Sequence, residues 1–419
     1  MFVTDHKHCT GCGACIEACP QSAVIKIRDK YKFVYPSVQE DMCKFCGKCL
    51  EVCPKDKPID RFEREEFEQR YYIAQTADKN ELLNAHAGGI FHRLAMKVLS
   101  NGGVVYGCIF DENRHPRHVR ADNAETLGLM RGFKPVQSDT DGIYSAVKTD
   151  LEGGINVLFS GTPCQCDGLR GYLGRDYLGL TIVDVLCGGM TSEGVFNRYY
   201  YWLERKLGDK IMELRFENKQ AFGHSRGIRV LYRRKKQRFL LSFPLELDKL
   251  NAMSIGGAIN RRSCGTCKYA STQRVGDISL GRFVAPARSH PDFNYAKGAS
   301  LVVVSTPKGA ELFESIRDMI CCEQSDLERA LANKRLSEPT KQNPQRKKIL
   351  SDICRGDFNK AAKEFKSPGV LQAVKIFFCA AIPDEAVYFL IQTAKKIKKF
   401  ALSLAEKVKK SLKKSEDKT

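Results

Sequence analysis

The sequence predicts an α+β protein of several domains: a small cysteine-rich domain, a larger α/β domain with a mixed sheet, and a basic helical tail. Three observations predict this arrangement. The 419 residues exceed one ordinary domain of roughly 150 residues. The cysteines of the first sixty residues form a repeat, and segments with strand and helix periodicity alternate after residue 86. Ten lysines stand against three acidic residues in the last 25 residues.

The composition is that of a globular protein from a reducing compartment. Hydrophobic residues make up 43% and charged residues 28% of the chain, which excludes a disordered protein. No apolar run reaches the roughly 18 residues of a membrane span, and the N-terminus has no signal-peptide pattern, so we expect a cytoplasmic protein. The 18 cysteines are then expected to bind metal rather than form disulfides. No nucleic-acid-binding signature accompanies the net charge of +19, so no nucleic-acid partner is expected.

A cysteine pattern with the spacing C-x2-C-x2-C-x3-C-P occurs twice in residues 1–60. This spacing is typical of two 4Fe–4S clusters, because three thiolates on one tight loop cap one face of a cubane. The fourth cysteine lies too far along its own copy and reaches the other cluster. The expected ligands of one cluster are Cys9, Cys12, Cys15 and Cys53, and those of the other are Cys43, Cys46, Cys49 and Cys19. Zinc and structural thiols are the alternatives.

The rest of the chain gives the expected domain boundaries. Alternating residues between the two cysteine motifs predict a short hairpin, and the charged stretch 61–85 predicts a helical linker. Residues 86–320 form the expected α/β domain, in which 155–187 indicate a strand, a helix and a parallel strand. Helices are expected over 321–370. Residues 371–419 predict a basic amphipathic helix, which either contacts an anionic membrane surface or is simply solvated.

Four further cysteines occupy positions that suggest another metal centre. Cys164 and Cys187 follow the two strands of the βαβ unit, at the sheet edge where α/β proteins place ligands. Cys264 and Cys267 form a C-x2-C pair. Together the four predict a third 4Fe–4S cluster, with zinc or inert buried thiols as alternatives and Cys166 as an alternative to Cys164. The other cysteines are interpreted as structural: Cys108, Cys321, Cys322, Cys354 and Cys379.

Eight segments resemble one protein family, in that family's order. They are AGGIFHRLAMKVLSNGGVVYGCIF, LGLMRGFKPVQSD, VLFSGTPCQCDGL, VDVLCGG, ELRFENK, RRSCGTCKYA, GDISLGRF and SLVVVSTPKG. Together with the cysteine repeat, they make residues 1 to about 320 resemble the coenzyme F420 hydrogenase/dehydrogenase beta-subunit family, in the form with an N-terminal dicluster ferredoxin. The implied fold is a small dicluster ferredoxin-like domain followed by an α/β catalytic domain.

The resemblance implies an iron–sulfur flavoprotein. A flavin, usually FAD, would lie between a hydride carrier and the iron–sulfur relay, because a flavin accepts two electrons as hydride and releases them singly. The residues expected near the flavin or an anionic coenzyme are Gly88, Gly89, Arg131, Lys134, Gly161, Thr162 and Pro163. A solvated basic loop is the alternative role of Arg131 and Lys134. The glycine pair at the start of a helix would suit the flavin phosphates.

The implied function is an oxidoreductase that passes electrons between a low-potential donor and a hydride carrier or small metabolite. The donor would be ferredoxin or another oxidoreductase subunit, and the deazaflavin coenzyme is one candidate carrier. The alternative is a non-catalytic iron–sulfur adaptor for a partner oxidoreductase, linked to polysaccharide biosynthesis. His86 is the histidine to test as an acid, and Asp184 is either functional or a structural acid.

The chain departs from the family's pattern around the expected cofactor. Ala87 stands where the family has serine, and Gly188 stands where it has histidine. The family's GDFWG segment is GRFVA here, at residues 281–285, which introduces Arg282. Phe222 begins the segment that matches the family's Gly-Trp pair. We therefore expect the walls of the cofactor pocket to differ from those of the family.

Overall fold

The computed structural model describes residues 5–60, 62, 65–217, 219, 227–363 and 365. The basic tail expected over 371–419, together with Cys379 and Phe222, lies outside the described residues. No helix in the described part of the chain is long and apolar enough to cross a membrane.

The N-terminal domain is built from a hairpin and two short helices. Strands β1 (Val24–Arg28) and β2 (Val34–Val38) pair in antiparallel register, so the hairpin expected between the two cysteine motifs is confirmed. Helices α1 (Ala14–Glu17) and α2 (Lys48–Glu51) each follow a glycine in the left-handed conformation, one in each copy of the repeat.

An eight-stranded mixed sheet forms the centre of the α/β domain. Its strands are β3 (Arg70–Thr76), β4 (Val104–Phe110), β5 (Pro116–Ala121), β6 (Val157–Gly161), β7 (Leu180–Val185), β11 (Ile278–Arg282), β12 (Ser300–Val304) and β13 (Ile320–Ser325). They lie in the order β13-β3-β12-β11-β7-β6-β4-β5. Strands β4, β6, β7 and β11 run parallel to one another, and the other four pair antiparallel with their neighbours.

The parallel part of the sheet follows from short apolar runs. Strand β6 reads VLFSG and β7 reads LTIVDV, with Phe159 opposite Ile182 and both side chains fully buried. Strands that are covered on both faces need apolar residues at successive positions, which is what these segments supply. Because the strands are parallel, their carboxyl ends at Gly161, Val185 and Arg282 meet at one edge of the sheet.

Helices cover both faces of this sheet. The remaining helices are α3 (Lys79–Asn84), α4 (Ile90–Ser100), α5 (Ala124–Leu129), α6 (Ile143–Glu152), α7 (Pro163–Leu173), α8 (Glu193–Leu207), α9 (Lys249–Ile255), α10 (Pro286–Ser289), α11 (Pro307–Glu314), α12 (Leu327–Ala330), α13 (Arg346–Cys354) and α14 (Phe358–Lys363). Helix α4 buries Leu94 and Ala95 in one core, whereas α6 and α7 share a second core with the cysteine loops of the N-terminal domain. The N-terminal domain is thereby packed directly on the α/β domain.

A smaller antiparallel sheet lies beside the main one. It contains β8 (Ile211–Arg215), β9 (Gly227–Arg234) and β10 (Gln237–Pro244), in the order β10-β9-β8. Its apolar face packs against α8, α13 and α14, where Tyr199 and Phe358 are buried with Ile228.

The structure corrects two expectations about secondary structure. The stretch 61–85 is not a helical linker, because it contains β3, which lies between β12 and β13 with Ile73 and Ala74 fully buried. Residues 321–370 do not begin as a helix, because they start inside the edge strand β13. Both errors have the same physical cause. The partners of these strands lie far away in sequence, so local composition gives little sign of the pairing.

Candidate metal centres and the adjoining cavity

The two copies of the cysteine repeat fold in the same way. Gly13 precedes α1 with a φ of 86°, and Gly47 precedes α2 with a φ of 77°. Only glycine adopts this left-handed conformation without strain. Each glycine turns the chain between the second and third cysteines of its motif, so that the thiols and the backbone amides of one loop face the same space.

The fold brings the first expected set of cysteines together. Cys9, Cys12 and Cys15 are buried, and all three line a cavity of about 80 Å³ with Cys53 from the second copy. Burial raises the pKa of the Cys12 thiol to about 12, and nearby Cys53 and Cys9 contribute to the rise. The amide of Gly11 donates to the sulfur of Cys9. A buried set of thiols needs a positive centre to ionise, which a bound metal provides.

The second expected set lies closer to the surface. The pKa of Cys49 is raised by burial and by the nearby Cys19 and Cys43 thiols, which places the three close together. Cys46 is exposed, and the Phe45 amide donates to the sulfur of Cys43 over 3.4 Å. This set is therefore the one that solvent and other proteins can approach.

The third expected set comes from three separate parts of the α/β domain. Cys164 lies in the first turn of α7, Cys187 follows β7, and Cys264 and Cys267 lie at a 3₁₀ segment, Arg262–Thr266. All four line one cavity of about 290 Å³. Burial and then Cys264 raise the pKa of Cys187 to about 12. Four sulfurs around one cavity match the donor set of a 4Fe–4S cluster.

Cys166 does not share this arrangement. It is fully buried in α7, and it does not line the cavity that the other four thiols share. By contrast, Cys164 interacts electrostatically with both Cys187 and Cys267. Of the two alternatives left open by the sequence, the geometry favours Cys164.

The three sets form a continuous series through the molecule. Cys12 and Cys15 of the first set lie in one core, against which Cys49 of the second set and Cys164 of the third are packed. Helix α7 makes the second junction, because a Cβ atom on Gly168 would lie 3.0 Å from the Cys12 sulfur. Among the described residues, no three His, Cys, Asp or Glu side chains meet closely enough to hold a single metal ion.

A larger cavity of about 540 Å³ opens at the carboxyl ends of β6, β7 and β11. Five of the residues expected near a flavin line it: Gly89, Arg131, Lys134, Gly161 and Thr162. It shares Thr162 and the Cys187–Gly189 loop with the cavity of the third cysteine set. The large cavity and the cavity of the third set therefore adjoin at this loop.

The other two expected cofactor residues lie elsewhere. The Gly88 amide donates to the Ser300 hydroxyl over 2.9 Å, and a Cβ atom on Gly88 would lie 2.1 Å from the carbonyl oxygen of Ala74. Gly88 is therefore required for close packing against the sheet, and Gly89 alone of the pair faces the cavity. Pro163 lines the cavity of the third cysteine set.

The two basic residues of the loop after α5 are held by their own surroundings. The Lys134 Nζ donates to the carbonyls of Met130 and Arg131 over 3.1 and 2.9 Å, and burial lowers the Lys134 pKa. Arg131 contacts His92, whose pKa is lowered to about 4, first by burial and then by the Arg131 charge. Both residues line the cavity, and these contacts hold their side chains in place.

Sequence reasoning missed several polar residues of the large cavity. The sequence indicates His86 but not its partner Glu217, whose carboxylate contacts the His86 Nδ1. Glu217 is partly buried, and its carboxylate lies 3.9 Å from the Arg282 guanidinium. Asn333 and Arg335, from the chain after α12, also line the cavity. No motif marks these positions, because only the fold brings them to the sheet edge.

Asp184 has a structural role. Its carboxylate is fully buried and accepts from Arg274 Nη2 over 2.8 Å and from the Gly276 amide over 3.1 Å. The side chain ties β7 to the loop before β11. Of the two roles that the sequence allowed, the structure supports this one.

Comparisons with known proteins agree with this architecture. Residues 8–57 match the model of the 4Fe-4S dicluster domain. Residues 155–330 match the model of the C-terminal part of the coenzyme F420 hydrogenase/dehydrogenase beta subunit. Residues 155–330 therefore form a domain of this beta-subunit family, which follows an N-terminal 4Fe-4S dicluster domain. This beta-subunit homologue therefore combines an iron–sulfur electron-transfer domain with a domain of an oxidoreductase family, and the resemblance seen in its sequence motifs is confirmed.

One solved structure similar to this beta-subunit homologue is a chain of the F420-reducing NiFe hydrogenase complex from Methanosarcina barkeri, studied by xenon derivatization. The two chains are 17% identical, and the alignment covers 70% of this chain and 94% of that one, with a TM-score of 0.42. No curated protein matches the chain.

Proposed function

We propose that the chain is an iron–sulfur flavoprotein oxidoreductase that exchanges electrons with a redox partner protein and reacts with a hydride carrier or small metabolite. The observation that carries the proposal is the series of three cysteine sets that leads to a large cavity. The second and third sets lie at the two ends of this series and differ in exposure. Cys46 of the second set is exposed, whereas Cys187 of the third set borders the cavity. Electrons would therefore pass between the protein surface and a buried reaction site.

The cysteine sets would each hold one 4Fe–4S cluster. The proposed ligands are Cys9, Cys12, Cys15 and Cys53 for the first, Cys19, Cys43, Cys46 and Cys49 for the second, and Cys164, Cys187, Cys264 and Cys267 for the third. Amide groups beside the thiols stabilise bound negative charge, as Gly189 does by donating to the Cys187 sulfur over 3.3 Å. Cysteine thiols stay reduced and free to bind metal in a reducing compartment, so we include a cytoplasmic location in the proposal.

The large cavity suits a flavin. Its volume of about 540 Å³ lies in the range of cofactor sites, and Gly89 and Gly161 let backbone approach a ligand closely. When bound, a flavin supplies the conversion between hydride and single electrons. Arg131 presents a cation to an anionic part of the cofactor or substrate. Buried His118 also lines the cavity, and its ring stacks on Phe159 behind it, with 5.3 Å between ring centres.

A proton-handling pair borders the same cavity. His86 lines the cavity, and its Nδ1 contacts the partly buried carboxylate of Glu217, which orients the imidazole. Arg282 Nη2 lies 3.9 Å from the same carboxylate oxygen of Glu217 and balances its charge. We propose that His86 donates or accepts the proton that accompanies hydride transfer to or from a small-molecule substrate.

The exposed cysteine set would be the docking point for the redox partner. Three apolar side chains are exposed around it: Phe45, Leu50 and Met42, with exposures of 74%, 58% and 42%. Large apolar side chains at the surface mark protein–protein contact sites. Ferredoxin or another oxidoreductase subunit would therefore exchange electrons here, with the deazaflavin coenzyme as one candidate for the hydride carrier at the other end.

Cofactor analysis of anaerobically purified full-length chain tests the proposal. We expect about twelve irons per chain, from four irons in each of three clusters, and one flavin with its absorbance bands. About twelve irons without flavin, and with no affinity for added flavin, would contradict the enzyme and support an adaptor for a partner oxidoreductase. Protein without iron after anaerobic reconstitution would contradict the whole proposal.

A further inference from the structure

Arg261 is a buried cation between the first and third cysteine sets. Its side chain lines the cavity that contains Cys9 and Cys12, and it also lines the cavity that contains Cys264. Only 2% of the residue is exposed. A buried charge is costly unless neighbouring groups compensate it, so its partners need to be identified.

Two of the three guanidinium nitrogens have partners. Arg261 Nε donates to Gln137 Oε1 and Nη2 donates to the Val34 carbonyl, each over 2.9 Å. The guanidinium also lies over the rings of Tyr35 and Phe33, 4.8 and 5.3 Å from their centres. The third nitrogen, Nη1, is buried and has no hydrogen-bond partner among the described residues. No carboxylate of the described chain forms an ion pair with Arg261, so its charge is not neutralised by a side chain.

The same side chain is fixed against the first cysteine loop. Gln137, which holds Arg261, also donates through Nε2 to the carbonyls of Thr10 and Gly11 over 2.9 and 3.0 Å. A Cβ atom on Gly11 would lie 2.5 Å from Arg261 Nη2, so this glycine leaves the space that the guanidinium fills. The cation is therefore placed beside the loop between Cys9 and Cys12.

The charge of Arg261 acts on thiols of both sets. Burial raises the pKa of Cys9 and of Cys264, and Arg261 opposes the rise at each of them. The same positive charge would also stabilise an electron added to a cluster in either set. Net charge and hydrogen bonds to sulfur are the main factors that set the reduction potential of a 4Fe–4S cluster.

We propose that Arg261 is a positioning residue that raises the reduction potentials of the two clusters on either side of it, through its buried charge and its unpartnered Nη1. This inference rests on the clusters of the proposed function. Reduction adds one electron to a cluster and breaks no bond, so the electrostatic gain goes entirely into the potential. The reduction potentials of both clusters would rise together, so the driving force for electron transfer between them would change little.

A potentiometric titration followed by electron paramagnetic resonance tests this. It uses the anaerobically purified full chain and compares Arg261→Gln with wild type. We expect at least a tenfold smaller reduced-to-oxidised ratio for the affected clusters at a fixed potential, which is about 59 mV for one electron. Arg262→Gln is the matched control, because Arg262 is the exposed neighbour and should leave the ratio unchanged. Arg261→Lys, which keeps the charge, should recover most of the wild-type ratio.

Three results would overturn the inference: full iron content with unchanged ratios in Arg261→Gln, an equal change in Arg262→Gln, or no recovery in Arg261→Lys. If Arg261→Gln fails to assemble clusters, Gln137→Glu decides, since it places a carboxylate against Arg261 Nε without removing the cation. Its ratio should also fall at least tenfold, and an unchanged ratio contradicts the proposal. Wild-type chain that holds no iron would instead contradict the proposed function, so the two failures are distinct.

Discussion

The guanidinium of Arg335 occupies the space in which a side chain at Gly188 would begin. A Cβ atom on Gly188 would lie 1.2 Å from Arg335 Nη1 and 2.0 Å from its Cζ. Gly188 is the position at which the sequence lacks the family's histidine. An arginine from a segment nearly 150 residues later therefore fills the place of the missing side chain, beside Cys187 and the large cavity.

This contact predicts that substitutions at Gly188 and Arg335 are not additive. Gly188→Ala should displace the arginine, and Arg335→Ala should remove it, so each should lower the free energy of unfolding by about 0.5–1.5 kcal/mol. The double variant should cost about as much as one single variant, because both remove the same contact. Anaerobic urea unfolding followed by circular dichroism measures the three values.

A second glycine serves as the control for this cycle. A Cβ atom on Gly128 would meet nothing within 4 Å, so Gly128→Ala should be neutral or slightly stabilising and additive with Arg335→Ala. Full additivity of Gly188→Ala with Arg335→Ala would show that the two residues are not coupled.

The second prediction concerns the ligands of the third cluster. Cys164→Ser should lower the iron content from about twelve to about eight per chain, because one of three four-iron centres is lost. Cys166→Ser should keep all of the iron, since that thiol does not line the cavity of the third cysteine set. Iron and sulfide analysis of both purified variants distinguishes them. The reverse pattern would exchange the two assignments.

The cysteine repeat could be predicted because its chemistry is local. Three ligands within seven residues, as in Cys9 to Cys15, must share one loop whatever the rest of the chain does. The βαβ unit was predictable for a related reason: β6 and β7 are short apolar runs joined by a helix that is capped by Thr162 and Gln165. Each of these patterns contains its own partners.

Other features depend on contacts between distant residues and leave little local trace. Strand β3 lies in a charged segment, and its pairing with β12 and β13 joins residues more than 200 positions apart. Arg261 and Arg335 are ordinary basic residues in the sequence. Their positions beside the cysteine sets follow only from the packing of loops from different parts of the chain.

The third prediction concerns electron exchange at the surface. Phe45 is 74% exposed beside the second cysteine set, and Phe45→Ser should slow reduction of the clusters by reduced ferredoxin about fivefold to tenfold, as expected for loss of an apolar anchor at an interface. Stopped-flow absorbance measures the rate. Reduction by dithionite should be unaffected, because a small reductant needs no docking surface.

Phe239→Ser is the matched control, since Phe239 is also exposed, at 40%, but lies on β10 of the small sheet. It should not change the rate with ferredoxin. Equal slowing by both substitutions, or slowing with dithionite too, would argue against a docking site at Phe45.

The last prediction is a pH dependence of stability that arises from His118. Burial lowers the His118 pKa from 6.5 to about 4, and its ring nitrogens contact the Ser160 carbonyl and the Ser138 hydroxyl, each over 2.9 Å. The unfolded chain binds a proton near pH 6.5 and the folded chain only near pH 4, so stability is lost as the pH falls through this window. Between about pH 7.5 and 5.5 the loss should be about 1.4 kcal/mol.

The His118→Gln variant should lack this part of the pH dependence, whereas substitution of the exposed His115 by glutamine should keep it. Because other groups titrate in the same range, among them Glu17 with a pKa raised by burial to about 7, the informative quantity is the difference between wild type and His118→Gln in the free energy of unfolding at each pH. A difference that stays constant from pH 7.5 to 5.5 would mean that His118 is protonated equally in the folded and unfolded chains. That result would contradict the prediction, because the buried imidazole that donates to the Ser160 carbonyl should stay neutral in the folded chain over this range.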